Sequence, residues 1–402
     1  MSKLIYFFLY SLLYITYIHC QTCTTVVRRP EIRELNSDQL KRFLNAVLKL
    51  NSTASADYYT KSTNDHNNNV PQAHGVPAFF PWHRVFLRRY EQALQKIDPT
   101  VVLPYWDWSR DSQAPERSPL FGATYFGGNG RSGDYCVNTG PFSMFQVKVP
   151  SAHCLKRRFN GGSTISSFYA PEALESIINR ATTFDSLRSN IEGGPHGSVH
   201  TGIGGNGGDM SYMYSPNDPL FYMHHAFVDL LWAEWQARKP SLANAYNGRA
   251  NGVNVSPNDN LIPFNVRVST TFNTRGPGFC YYYNRYSANT QTVTAATQSL
   301  DSVSNPIQRR QQVTNQSSQF STLSDQINQM VKNDFTKVSN NVLDAMDRSV
   351  RGKIRKPEPL PENYIIANGL DVNQVRQQEK YLGSLVGLLN SLPNYRPAAD
   401  LI

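Results

Sequence analysis

Seven of the nine histidines in this 402-residue chain fall into two tight clusters. His66, His74 and His83 form the first, and His196, His200, His224 and His225 form the second. Imidazoles set among apolar residues are costly unless something satisfies their nitrogens. A fold that gathers them must therefore supply hydrogen bonds, metal ions or both. The clusters are far apart in sequence, so whatever chemistry they share depends on a fold that joins them.

The spacing within each cluster has a geometric meaning. His196 and His200 are four residues apart, which on a helix stacks both rings on one face within reach of one ion. Pro195 suits the first turn of such a helix. The stretch His196-Gly-Ser-Val-His200 lacks the Glu of a zinc protease motif. His224 and His225 lie inside the apolar run Leu220 to Trp232. Neighbouring residues on a helix point about 100° apart, so one of the two faces a given target. Asp229, four residues after His225, is positioned to accept a hydrogen bond from the ring nitrogen that His225 does not give to a metal. His74 and His83 flank Gly75 to Trp82, with Pro81 opening a helix, His83 in its first turn and His74 on the loop before it. His66 ends the stretch 58–66.

Three neutral imidazoles per ion suit copper, zinc, iron or nickel. They leave coordination positions open for O₂ and tolerate both Cu(I) and Cu(II). No thiolate or carboxylate competes at these spacings.

Periodicity predicts a mainly α chain. Apolar residues recur at helical spacing over 35–50, 85–97, 171–180, 221–237 and 382–392, with Asn36 or Ser37 as a cap for the first. Gly-, Ser- and Asn-rich loops fill 111–170 and 201–215. Past residue 286 the composition turns to Ser, Thr, Gln and Asn, which buries little apolar area. The expected organisation is a signal peptide over 1–20, a metal-binding domain over 21–286 and a polar, partly disordered or helical extension over 287–402.

The apolar run Leu4 to Ile18 is short for a bilayer span and reads as a secretion signal. That makes the protein secreted, with no membrane attachment after cleavage. Four cysteines then remain: Cys23, Cys136, Cys154 and Cys280. An even number suggests two disulfides in any of three pairings. Cys136 with Cys154 closes the short loop and leaves Cys23 with Cys280. Sequons at Asn51, Asn254 and Asn315 fit a glycosylated secreted chain. The formal charge of +9 is scattered and accompanies no nucleic-acid motif, which excludes nucleic acid as a partner and leaves solubility or weak binding to extracellular matrix.

Three segments resemble a known family. Ala73-His-Gly-Val-Pro-Ala-Phe-Phe-Pro-Trp-His-Arg84 resembles the first-copper motif of tyrosinases and catechol oxidases. Leu103-Pro-Tyr-Trp-Asp-Trp108 resembles the segment that follows it, and Ser215 to Asp229 resembles the second-copper motif. Tyr281-Tyr-Tyr283 resembles the signature that closes the family's central domain, against which Arg28 or Arg29 would pack. The resemblance spans roughly residues 25–285. It implies an antiparallel four-helix bundle around a dinuclear, type 3 copper centre. His66, His74 and His83 would hold one ion and His196, His200 and His225 the other, with His224 a neighbour.

The implied activity is oxidation of a small phenolic substrate, o-diphenol to o-quinone, with O₂ as co-substrate, as in melanin formation or the hardening of a cuticle or shell. Hydroxylation of monophenols would need a further feature beside the copper pair, a base. Glu192 would be the Glu that helps to hold a base-like water, but Gly197 stands where active monophenolases often carry Asn. The alternative is a non-enzymatic matrix or oxygen-binding protein on the same scaffold.

Overall fold

The computed structural model describes residues 23–52, 56–284 and 353–391. The expected signal peptide with Cys20, the polar stretch 287–345 and the Asn315 sequon lie outside these residues. Within them the chain is mainly helical, and its strands are only two or three residues long.

Helix α1 (Ser37–Ser52) starts where the sequence places a cap. The Asn36 side chain accepts from the Gln39 amide at 2.9 Å, and the Gln39 side chain accepts from the Asn36 amide at 3.0 Å. This reciprocal box satisfies two of the amides that a helix start leaves without partners. Phe43, Leu44, Val47 and Leu50 form its buried stripe. Helix α2 (Ala56–Asn68) carries His66 near its end.

Helix α3 (Phe79–Ile97) begins two residues before Pro81. Proline is tolerated there because first-turn amides have no intrahelical acceptor. His83 consequently opens the second turn rather than sitting in the first. Helices α4 (Pro171–Arg180) and α5 (Phe184–Ile191) follow, the latter capped by Thr183 and Ser186.

Pro195 does not open a helix. A π turn, Glu192–His196, joins α5 directly to helix α6 (Gly197–Gly204). The wider i→i+5 turn absorbs a proline that lacks an amide proton, and such turns concentrate at functional sites. The predicted loop at 201–215 therefore starts as helix. Helix α7 (Leu220–Arg238) is buried on nearly every side from Leu220 to Trp232. That explains why its sequence has no polar face.

Helix α1 packs on α2 and α3, α3 packs along α7, and α7 meets α4 and the π turn. Four helical segments thus deliver histidines to one interior: α2, α3, the π turn with α6, and α7. Strand β1 (Val27–Arg29) ties the chain's beginning to its middle. Strands β2 (Gln146–Val147) and β3 (His153–Cys154) pair antiparallel inside the long loop, and β1 runs parallel to β4 (Tyr281–Tyr283). Disulfides Cys23–Cys280 and Cys136–Cys154 form as the short-loop pairing requires. Arg29, not Arg28, packs on the tyrosines, with its guanidinium 3.5 Å from the Tyr281 ring centre. Arg28 pairs with Glu34 instead.

Residues 353–391, part of the expected polar or helical extension, carry two helices. Helices α8 (Glu362–Ala367) and α9 (Val372–Ser391) fold back as a hairpin on the π turn and α4. Leu360, Tyr364, Ile365 and Val375 form a small apolar cluster of their own, and Leu382 enters the main core.

Candidate metal centre

The fold brings the two histidine clusters side by side. The ligand-capable atoms of His66, His74 and His83 lie within 4.8 Å of one another, and so do those of His196, His200, His224 and His225. All seven residues are buried. The His83 and His225 rings stack at 4.3 Å, and the His74 and His196 ring centres are 6.5 Å apart. The interior is thus continuous from one cluster to the other.

Backbone carbonyls fix four of the rings. A carbonyl only accepts, so the nitrogen facing it must carry the proton. His66 Nδ1 donates to Met213 O at 2.6 Å and His83 Nδ1 to Phe79 O at 2.8 Å. His196 Nδ1 donates to Glu192 O at 3.2 Å and His200 Nδ1 to Met210 O at 2.7 Å. Each Nε2 is then a bare lone pair. Those of His66, His83 and His196 have no partner within the protein. His200 Nε2, bare because its Nδ1 carries the proton, faces His225 Nε2 at 3.3 Å.

Burial pulls every one of these imidazoles below the usual histidine range, His66 to about 3 and His200 to about 4. All are neutral at ordinary pH, as metal ligands must be. Buried neutral imidazoles, three in one cluster and four in the other, with ring nitrogens that lack protein partners, match a pair of ions that take imidazole donors.

His224 belongs spatially to the second cluster. It stacks on His196 at 5.3 Å, and neither of its ring nitrogens has a partner.

The expectation for Asp229 fails. Its Oδ1 accepts from Arg84 Nε at 2.6 Å, and its Oδ2 accepts from the Tyr281 and Tyr283 hydroxyls at 2.5 and 2.8 Å. His225 Nδ1 has no partner at all. Arg84 is fully buried and lies over the Trp232 ring at 3.7 Å. A buried guanidinium needs a carboxylate more than a neutral imidazole does, so Asp229 turns away from the histidines to neutralise it.

Glu192 is buried and ties the clusters together. Oε1 accepts from the Gly75 amide, next to His74, at 2.7 Å, and Oε2 accepts from Arg188 at 3.0 Å. Burial pushes its carboxyl up to about 7, against the opposing pull of Arg188. Gly197 lies under the C-terminal hairpin. A Cβ there would meet Leu360 Cδ1 at 2.7 Å and Tyr364 Cε1 at 3.0 Å. Gly75, at φ +68°, lies so close to the Gly369 carbonyl that any side chain would collide with it. The hairpin therefore covers both clusters, and the Tyr364 ring centre sits 6.3 Å from that of His200. The Met210 and Met213 carbonyls leave no sequence signal, because backbone groups have none. Leu360 lies within the proline-rich turn 356–361 and Tyr364 just after it, and that turn is their only mark in the sequence.

Residues 47–238 match the common central domain of tyrosinase. The tyrosinase of Streptomyces antibioticus is 36% identical over 254 residues, covering 58% of this chain and 90% of that protein. Tyrosinase ustQ of Aspergillus flavus is 30% identical over 291 residues, covering 65% of this chain and 80% of its own length. Among solved structures, a mutant polyphenol oxidase from Thermothelomyces thermophila superposes with a TM-score of 0.55 at 23% identity, over 65% of this chain and 89% of that one. The last likeness concerns the fold.

Proposed function

Because the chain belongs to the tyrosinase family, with its dinuclear copper centre, we propose that it oxidises o-diphenols to o-quinones with O₂. In this reading His66, His74 and His83 hold one copper, and His196, His200 and His225 hold the other. What carries the reading is the set of buried ring nitrogens without a protein partner in two adjoining clusters. Bound there, the two copper ions supply the two-electron couple that passes electrons from a catechol to O₂.

The chain's own residues do the rest. The helices pre-orient the rings, so little reorganisation accompanies the change in oxidation state. The carbonyls of Phe79, Glu192, Met210 and Met213 lock four tautomers with the lone pair inward. Phe79 and Phe221 pack against the rings and keep the interior apolar. A phenol side chain of the protein itself, Tyr364, rests beside His200, which supports a phenol as the occupant of that space.

Oxidation of diphenols fits these residues better than hydroxylation of monophenols. A monophenol must lose its proton to a base before it reacts, but both oxygens of Glu192 are engaged and Gly197 has no side chain to hold a water. The segment carrying Leu360 and Tyr364 packs over Gly197 and beside His200, so in this reading the described arrangement is a closed form and a catechol enters when that segment lifts. The test is oxygen uptake with catechol and with tyrosine, and copper measured on the same sample. Copper-loaded protein that oxidises neither, even after the hairpin is displaced, would refute the proposal.

A covered site also fits the second reading, an oxygen-binding or matrix protein, because binding O₂ needs no room for a phenol beside the clusters. Reversible O₂ uptake with no quinone formed would favour it. Secretion and any matrix association belong to the same proposal. No helix among the described residues is long and apolar enough to cross a membrane.

A further inference from the structure

His83 and His196 are oriented by carbonyls of their own helical segments, four residues back. His66 and His200 are held differently. Their Nδ1 protons go to Met213 and Met210, two carbonyls of the single short loop 209–213. That loop thus serves one ring in each cluster. A ring oriented from a loop is only as fixed as the residue that anchors the loop.

The anchor is Asp209, whose carboxylate is buried. Its Oδ1 accepts from His153 Nε2 at 2.9 Å and from Asn217 Nδ2 at 3.0 Å, and its Oδ2 accepts from the Lys156 amide at 2.7 Å. His153 lies on β3 beside the Cys136–Cys154 disulfide, with 17% of its side chain exposed. Its Nδ1 faces Ser151 O at 2.7 Å. Both ring nitrogens therefore face groups that only accept, and only a doubly protonated ring satisfies both. The remaining neighbours are Lys156, whose charge opposes that proton, and the Tyr214 ring, 6.5 Å away.

We propose that Asp209 is a positioning residue for both metal clusters, held in place by the imidazolium of His153, so that one partly exposed histidine outside the centre governs how firmly both ions are kept. The proposal rests on reading the clusters as copper sites. When His153 loses its second proton, one of its two hydrogen bonds must go. The carboxylate, the stronger acceptor, keeps the remaining N–H and the Ser151 bond is lost, but the Asp209 bond is no longer a charge pair, so the carboxylate is held less firmly and the Met210 and Met213 carbonyls gain freedom.

The test uses the full copper-loaded chain and bicinchoninate as a competing Cu(I) chelator, with copper per chain measured from pH 6 to 9. The parent should release copper more readily as pH rises through the His153 titration. His153→Gln should release both ions about 10-fold more readily at the lowest pH, the loss typical of an outer hydrogen-bond partner, and should show no such pH step. Asp209→Asn, which sets an amide NH₂ against the Lys156 N–H, should do worse. Thermal unfolding of the metal-free chains separates positioning from folding, because His153→Gln should leave that midpoint close to the parent's. Parent-like copper release by His153→Gln, faster loss of one ion only, or a loss that merely tracks lower metal-free stability would each overturn the proposal. A parent that binds no copper overturns the metal reading as well, and is distinguished by that result alone.

Discussion

Leu360→Ala should convert the closed form into a more active one. Leu360 is 3% exposed, and its Cδ1 lies against the backbone of Gly197, beside His196. Cutting such a side chain back to Ala removes about 3 kcal/mol, from lost transfer energy and the cavity left behind. Only the part of that loss that comes from contacts across to Gly197 and its neighbours falls on docking, because Leu360 also packs within the hairpin's own cluster of Tyr364, Ile365 and Val375. At tenfold per 1.4 kcal/mol, the open fraction should rise by between about 10-fold, if half the loss falls on docking, and about 100-fold, if all of it does, while the closed form still dominates. If substrate meets only the open form, kcat/KM for catechol rises by the same factor until opening is no longer limiting. The assay is oxygen uptake at matched copper content, with Ile366→Ala, a neighbour 62% exposed, as the control that should change little. Limited proteolysis within 353–391 reports whether the hairpin has lifted. A Leu360→Ala protein whose hairpin is cut faster but whose kcat/KM equals the parent's would show that the hairpin does not gate the site.

Three further outcomes follow from the same residues. Asp229→Ala leaves the buried Arg84 guanidinium without its carboxylate and should cost about 3–5 kcal/mol in denaturant unfolding; a change below 1 kcal/mol would show that water reaches Arg84. His225→Phe should bind one copper per chain, whereas His224→Phe should keep two and gain stability, because a buried ring with two unpartnered nitrogens is removed; metal analysis of both variants decides, and the reverse result would make His224 the ligand. The metal-free chain should lose stability as pH falls below about 6.5. His66 and His200 sit near 3 and 4 when folded, so the unfolded chain binds more protons in that window. Each contributes about 1 kcal/mol per pH unit, fully present above 6.5. Glu192, raised to about 7, works the other way, weakening the fold as pH climbs from about 4.5 to 7. Its single term is outnumbered, and a denaturation midpoint that is flat from pH 6.5 to 5 would contradict the burial of the histidines.

The sequence by itself determined the helices and the histidines. The 3.6-residue periodicity sets where α1, α4 and α7 run, and the i, i+4 spacing of His196 and His200 survives even though a π turn replaces the expected helix start. These features are local, and local chemistry is written residue by residue. Tertiary structure alone decided which neighbour each polar group takes. Asp229 was one turn from His225 by sequence, yet a buried arginine on another helix took it, because an uncompensated charge costs more than an unpartnered imidazole. The loop carbonyls that aim His66 and His200, and the hairpin laid over Gly75 and Gly197, come from segments distant in the chain. Backbone acceptors look alike in any sequence, and only packing assigns them.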